Sequence, residues 1–250
     1  MFLVNYSSTS ESEAEEGEKE VDNHHIETKK LILPKATTLL GKRKLPDEDV
    51  VTDDPSKHQG RIRSFKHERG NWATYVFVAT PKTLLEDLQE LCLRQLDSKC
   101  DFKICPDLHI SLSRTVVLQY HFIESFIKTL EEEFTATARF TISLSSLKAY
   151  TNAERTRTFL AIRVDDIHLE KMLEILKKVD RVMLNFKLAK FYEDPSFHIS
   201  ILWCLGDYVD EITKQLPDIV ESIKDLLPVE LKIDRLYCKS GFKEYNFELK

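Results

Sequence analysis

The sequence predicts an α/β fold built from two similar lobes. Two observations lead there. The expected elements run strand–helix–strand–helix–strand and then strand–helix–strand–helix–strand–strand, and one short pattern, apolar-His-Ile-Ser-apolar, occurs once in each half. A third observation sets the scale: the 250 residues are 42% hydrophobic and 10% aromatic. That is enough for one sizeable core or two small lobes, and too apolar for a wholly disordered chain.

Residues 1–70 read as a tail. They hold a serine-rich stretch at 7–12, a glutamate-rich stretch at 11–20, and Pro34, Pro46 and Pro55 in a polar segment of little periodicity. Lys42-Arg43-Lys44 within it is either part of a nuclear-import signal or ordinary solvated charge. From residue 71 the texture changes. Residues 72–79 are β-branched and aromatic, a strand. Residues 82–96 place Leu84, Leu85, Leu88, Leu91, Cys92 and Leu96 at helical spacing. A strand at 108–113 and a helix at 120–134 follow. Strands at 140–150 and 158–164 flank a polar turn at 151–154, where the two halves join. The helix expected at 168–186 carries Leu169, Met172, Leu173, Leu176, Val179 and Met183 on one face. A strand at 197–204 leads to a helical stretch at 209–227, with an interruption expected near Pro217. Strands at 229–238 and 245–249 close a two-lobed domain of residues 71–250.

Composition narrows the function classes. No apolar run approaches the roughly 20 residues that cross a bilayer, and Met1-Phe2-Leu3-Val4-Asn5 makes a poor secretory signal. The expectation is a soluble intracellular protein with no membrane partner. Five cysteines without a Cys-x-x-Cys pair fit a reducing compartment and idle thiols. Net charge is −6, which argues against coating a duplex but not against gripping a few terminal nucleotides. There is no His-Glu-x-x-His and no Cys/His cluster, and His24-His25 lies in the tail, so no metal site is expected. His58, His67, His121 and His168 read as surface. With six glycines and no phosphate-cradling motif or Gly-x-Ser-x-Gly, nucleotide-triphosphate and serine-hydrolase readings are disfavoured, and no cofactor is implied.

The repeated pattern is Leu108-His109-Ile110-Ser111-Leu112 and Phe197-His198-Ile199-Ser200-Ile201. With 8 His and 17 Ser in the chain, chance supplies about 0.5 bare His-x-Ser matches. The full five-residue pattern arises by chance on the order of a hundredth of a time. In a strand, residues i and i+2 share a face, so each histidine sits beside its serine while each isoleucine points the other way. Such a polar face is either plain surface or the wall of a cleft. If the halves meet about a pseudo-two-fold, both faces line one cleft, and two imidazoles flank a bound group. Two groups titrating near pH 6.5 suit in-line transfer at phosphorus. One removes the proton of a ribose 2′-hydroxyl, and the other protonates the departing 5′-oxygen. The serines can donate to the non-bridging oxygens. The product is a 2′,3′-cyclic phosphate, and the scheme needs no metal. The two motifs are nearly symmetric, so which histidine is base and which is acid stays open.

The paired pattern resembles the two-histidine (2H) phosphoesterase superfamily. That resemblance implies a bilobal α/β fold, each lobe an antiparallel sheet with helices on its outer face, and both motifs in a central groove. Leu108 to Ser113, Tyr150-Thr151-Asn152 through Arg157-Thr158-Phe159, Val179-Asp180-Arg181-Val182-Met183 and Phe191 to Ser200 are similar to one branch, the U6 snRNA phosphodiesterase family. Trp203 to Asp207 and Cys238 to Gly241 extend the likeness, which covers about residues 71–250. It implies a nuclear 3′-to-5′ exoribonuclease, acting as a monomer on a single-stranded RNA 3′ end, the oligouridine tail of U6 snRNA. The end it leaves is a 2′,3′-cyclic phosphate or a 3′ phosphate. His109 and His198 would be catalytic and Ser111 and Ser200 would bind phosphate. Tyr192 would stack on a nucleobase, and Asp194, Pro195 and Ser196 would line the nucleotide site. The family pattern has a glutamine where this chain has Ala153, so a side-chain contact to the nucleotide from there is lost.

Apart from the resemblance, Tyr192 sits six residues before His198 in a polar loop, where an exposed ring can stack on a base or simply pack. Two rival functions stay open. One is a 2H phosphodiesterase for small cyclic or 2′-5′ nucleotides. The other is a catalytically silent RNA-binding scaffold, against which the two intact His/Ser pairs argue.

Overall fold

The computed structural model describes residues 68–96 and 100–250. The basic cluster at 42–44, His24, His25, His58, His67 and the rest of the expected tail before residue 68 lie outside the described residues. Alternation of apolar and polar side chains in short β-branched runs produces strands that bury one face. In β1 (Asn71–Ala79), Thr74, Val76 and Val78 are buried on one side. Next come a single 3-10 turn at Lys82–Leu84, α1 (Glu86–Gln95), and three short strands, β2 (Lys103–Ile104), β3 (His109–Ser111) and β4 (Val116–Gln119). The chain continues through α2 (Ile123–Phe134), β5 (Phe140–Thr151), β6 (Arg157–Val164), α3 (Leu169–Asn185) and β7 (His198–Leu205). It ends with α4 (Val209–Ile223), β8 (Val229–Ile233), β9 (Arg235–Ser240) and β10 (Lys243–Glu248).

All strand pairs are antiparallel, and they join into one sheet of order β10-β9-β1-β3-β7-β6-β5-β8, with β2 added to β7 and β4 to β1. The sheet has two halves, β10-β9-β1-β3 and β7-β6-β5-β8, joined where Ile110 faces Ile199. The expected bilobal arrangement is therefore present, but the halves do not follow chain order. β5, expected in the first half, pairs with β6 and β8 in the second, while β9 returns to pair with β1 in the first and carries β10 on its outer edge. The helices exchange likewise: α1 packs with α4 behind β5–β7, and α2 with α3, with α2 against β10. Element order alone carries no record of pairing partners, because side-chain periodicity fixes a strand's buried face and not its neighbour.

Three further expectations change. The strand expected at 229–238 is two, divided at Asp234: β8 pairs with β5 at one edge and β9 with β1 near the other, so the sheet curls until these strands nearly meet. α4 runs through Pro217 without interruption. Pro217 is exposed, so the carbonyl that loses its helical partner can turn to water. The runs expected as helices from 82 and 120 open instead with 3-10 turns at Lys82–Leu84 and Tyr120–Phe122. β2 and β4 were not anticipated; at two and four residues they are too short for a periodic signal. Between sheet and helices lies one apolar core containing Leu108, Ile110, Leu112, Phe197, Ile199 and Ile201, all 4% exposed or less. No helix among the described residues is long and apolar enough to cross a membrane.

Candidate active site

With Leu108, Ile110 and Leu112 on the core face of β3, His109 and Ser111 must occupy the other face; Phe197, Ile199 and Ile201 impose the same on His198 and Ser200 in β7. The antiparallel register that opposes Ile110 to Ile199 sets His109 across from Ser200 and Ser111 across from His198. A pseudo-two-fold axis thus passes through the isoleucine pair, and each motif's imidazole faces the other motif's hydroxyl. The four side chains line one cleft of about 280 Å³.

Both imidazoles are held alike. His109 Nδ1 lies 3.0 Å from the Asp107 carbonyl oxygen and His198 Nδ1 lies 2.7 Å from that of Ser196. A carbonyl only accepts, so each Nδ1 carries the proton and donates it, and each Nε2 is left to exchange protons in the cleft. The surroundings then differ. His109 meets the edge of Phe77 at 5.5 Å and lies 6.0 Å from Tyr75. His198 is covered by the ring of Tyr150, stacked at 4.0 Å with planes 15° apart. The Tyr150 hydroxyl is 2.6 Å from Ser196 Oγ, so Ser196 ties phenol and imidazole together. Lys148 Nζ lies 5.3 Å from the other ring centre of this stack, and Arg163 is the cross-strand partner of His198. Burial lowers the His198 pKa below 6.5, opposed by the Ser196 carbonyl and reinforced by His109, Lys148 and Arg163. Burial raises the Tyr150 pKa, partly offset by the Ser196 hydrogen bond and Arg163, so the phenol keeps its proton at neutral pH.

One wall of the cleft was not anticipated. β6 and β7 slip register between Leu160 and Ala161, leaving Ile201 bulged. The Ile201 carbonyl accepts instead from the Cys105 amide at 3.0 Å and the Gln89 side chain at 2.8 Å. Because of that extra residue, Trp203 follows Ser200 on the cleft face, and its cross-strand neighbours Phe159 and Lys103 flank it. Phe159, Trp203 and Arg157 line the cleft together with Cys105, Pro106 and Asp107. Burial pushes the Cys105 thiol up to about 12, so it offers no thiolate at neutral pH.

The four loop residues singled out from sequence separate. Ser196 reaches His198 and Tyr150 as described. Tyr192 is 57% exposed with Arg114 4.9 Å from its ring centre, Asp194 is exposed, and Pro195 is half-buried. None of the four belongs to the lining of the cleft around the histidines. Asp180 accepts the Phe191 amide at 2.9 Å and so anchors the loop to α3. Among the described residues no three His, Cys, Asp or Glu side chains group so as to hold a metal ion.

Residues 33–248 match the family described as "HVSL: Uncharacterised conserved protein". U6 snRNA phosphodiesterase 1 of Drosophila melanogaster is 43% identical over 258 residues, which cover 100% of both chains. The chain belongs to the U6 snRNA phosphodiesterase family. The human member, U6 snRNA phosphodiesterase 1 of Homo sapiens, is 38% identical over 210 residues, 81% of this chain and 79% of that one. The fold extends further than sequence. Kluyveromyces marxianus Usb1 superimposes with a TM-score of 0.51 at 14% identity, over 72% of this chain and 98% of that one. E. coli LigT complexed with 3′-AMP does so with a TM-score of 0.50 at 10% identity, over 72% and 96%. The expected two-histidine phosphoesterase fold is thus the fold of this family member.

Proposed function

We propose that this chain is a metal-independent RNA phosphodiesterase that trims the 3′ end of U6 snRNA from 3′ to 5′. The observation that carries the reading is the cross-strand quartet, two Nδ1-anchored imidazoles each facing the other motif's serine across the pseudo-two-fold. His198, buried under Tyr150 and held toward its neutral form, suits the base. It takes the proton of the 2′-hydroxyl as that oxygen bonds to phosphorus. His109, the other imidazole, gives a proton to the 5′-oxygen as the P–O5′ bond breaks. Ser111 and Ser200 donate to the non-bridging oxygens, where charge accumulates. The shortened RNA ends in a 2′,3′-cyclic phosphate, or in a 3′ phosphate where water then opens the ring, and the terminal nucleoside departs with a 5′-hydroxyl.

The names of the relatives support U6 snRNA as substrate, and a Usb1 structure with uridine monophosphate supports a single-stranded uridine-rich end. On this reading the protein works in the nucleus as a monomer. Residues 71–250 form the catalytic domain and residues 1–70 a tail. Tyr192 stacks on the nucleobase of the retained 2′-hydroxyl nucleotide, at the end of the cleft where Asp194, Pro195 and Ser196 lie. The test is mass analysis of a synthetic oligouridylate with a 3′-hydroxyl after incubation in excess EDTA. Stepwise shortening to cyclic or 3′ phosphate ends is expected. An untouched oligomer would favour a scaffold or a small-nucleotide enzyme, and cleavage only on adding metal would overturn the mechanism.

A further inference from the structure

Beyond His198 the cleft face of the sheet carries two cations to which the proton transfers give no task. β6 buries Leu160, Ile162 and Val164 in the core, so alternation turns Arg163 to the cleft face, where it is the cross-strand partner of His198. β5 buries Leu147 and Ala149, which turns Lys148 the same way, across from the small Ala161. Both cations reach the Tyr150–His198 stack: Lys148 Nζ lies 5.3 Å from the Tyr150 ring centre, and each of the two lowers the His198 pKa. Neither has a buried carboxylate to neutralise it. Lys148 is exposed and makes no ion pair among the described residues. Arg163 pairs with Asp166 at 3.6 Å, a carboxylate 82% exposed, and its buried Nε has no hydrogen-bond partner among the described residues. The neighbouring Asp165 is taken up by the hydroxyls of Ser143 and Ser145. A buried guanidinium N–H without an acceptor, beside a lysine without a carboxylate, is the chemistry that takes an anion.

Which anion follows from the direction of the RNA. In the reaction above the departing nucleoside leaves uncharged, because the scissile phosphate stays with the retained strand. Every retained nucleotide, in contrast, brings a phosphate on its 5′ side. His198 takes the proton of the retained nucleotide's 2′-hydroxyl, and the Tyr192 loop that holds its base leads into His198 at the start of β7. The next phosphate along the retained strand therefore falls beyond His198, on the side of Arg163. We propose that Arg163 and Lys148 form a second phosphate site, which holds the phosphodiester on the 5′ side of the retained nucleotide. The site rests on the phosphodiesterase reading and on His198 as base. Two consecutive phosphates are then gripped, one by the serines and one by the cations, which sets the cut one linkage past the second. Two placed cations let a chain of net charge −6 hold an RNA end without a broad basic surface.

The experiment compares dUpdU with pdUpdU, the same 2′-deoxy dinucleotide carrying a 5′-phosphate. Both lack the attacking hydroxyl, so neither is cleaved. Calorimetric affinities are measured at low salt on wild type, Lys148→Gln, Arg163→Gln and Lys148→Arg. Lys148 is exposed, so its variants carry the test if Arg163→Gln fails to fold. The 5′-phosphate tightens wild-type binding by about 5- to 30-fold, an advantage that shrinks as salt is raised. Each glutamine variant loses at least about threefold of that advantage and binds dUpdU within about twofold of wild type, while Lys148→Arg keeps it. A wild type indifferent to the 5′-phosphate, an advantage that survives Lys148→Gln, or equal weakening of both probes would overturn the site. Cleavage of UpU and pUpU separates the site from the reaction. No cleavage of either, with the binding advantage intact, would sink the enzymatic reading and leave the phosphate site standing. Cleavage of both with the same kcat/KM would do the reverse.

Discussion

The Tyr150 ring lies on the His198 imidazole, centres 4.0 Å apart and planes 15° apart, while its hydroxyl meets the serine whose carbonyl accepts the His198 Nδ1 proton. One side chain therefore excludes water from the imidazole and also fixes the residue that orients it. Such a stack is worth about 0.5–1.5 kcal/mol beyond burial. Removing it should slow cleavage by about 3- to 10-fold. The pH dependence is more diagnostic. Burial lowers the His198 pKa, so a base at this position is lost as the pH falls through a value below 6.5. Tyr150→Ala admits water and raises that value, moving the acid limb of the pH–rate profile to higher pH. Tyr150→Phe keeps the ring and should leave the limb in place with a smaller loss of rate. The same sign governs stability. The unfolded chain takes up this proton near pH 6.5, before the folded one does, so stability falls from there toward the folded value, and His198→Gln removes that dependence. An acid limb unmoved in Tyr150→Ala would make Tyr150 a packing residue only.

If His109 and His198 each carry one proton, neither can substitute for the other. His109→Ala and His198→Ala are each expected to reduce oligouridylate cleavage by about 10²–10⁴ with the far-ultraviolet circular dichroism unchanged. The serines supply neutral donors to a charge that grows in the transition state. Ser111→Ala and Ser200→Ala should therefore cost less than the histidines, and mostly in kcat. Near-wild-type turnover in either histidine variant would remove the two-proton scheme, whatever the serines do.

Period two made part of this site legible in sequence. His109/Ser111 and His198/Ser200 share faces by alternation, and their isoleucines are in the core as that alternation requires. The Phe159–Trp203 wall was hidden by the same rule. Uninterrupted alternation from Ser200 puts Leu202, not Trp203, on the cleft face, and only the bulge at Ile201 reverses the phase. Tyr150 was hidden for a different reason. It reaches His198 across β6, beside the small Ala161 that pairs with Ser200, and nothing local to residue 150 encodes that approach. The lobes were legible as two halves but not in membership, since β9 finds β1 more than 150 residues earlier through non-local pairing and carries β10 with it as a hairpin.

Tyr192 and Arg114 meet from the two motif strands' flanks, guanidinium over ring at 4.9 Å. At an exposed site that contact is worth about 0.5–1 kcal/mol, enough to hold the ring but not to occupy both of its faces. A nucleobase can use the open face. Tyr192→Ala is expected to raise KM for oligouridylate by about 5- to 100-fold while changing kcat by less than about threefold. Arg114→Ala should give a smaller change in the same direction, and the double variant less than the product of the two because they share one platform. A fall in kcat at constant KM would remove Tyr192 from the binding site.

Far along β1 from the cleft, Gly241 closes the β9–β10 turn with φ +59°, its amide donating to the Ala73 carbonyl at 2.8 Å. A Cβ there would run into the Trp72 indole, which is itself wedged between Tyr120 at 5.7 Å and Phe242 at 5.1 Å. Gly70 is a natural control: its φ is +89°, but a Cβ would meet nothing within 4 Å. Gly70→Ala should therefore cost only the backbone strain of about 1 kcal/mol. Gly241→Ala adds overpacking of about 1–3 kcal/mol, so its melting temperature should fall well below that of Gly70→Ala. Gly241→Asn separates the two contributions, since asparagine tolerates the dihedral but keeps the clash, and it should be no better than alanine. At 25 °C each variant that remains folded should cleave at the wild-type rate, because six residues of strand, about 20 Å, separate Ala73 from the end of β1 at His109. Equal melting temperatures for Gly70→Ala and Gly241→Ala would mean that Trp72 swings aside at little cost and that the aromatic packing at this end of the sheet does not fix the turn.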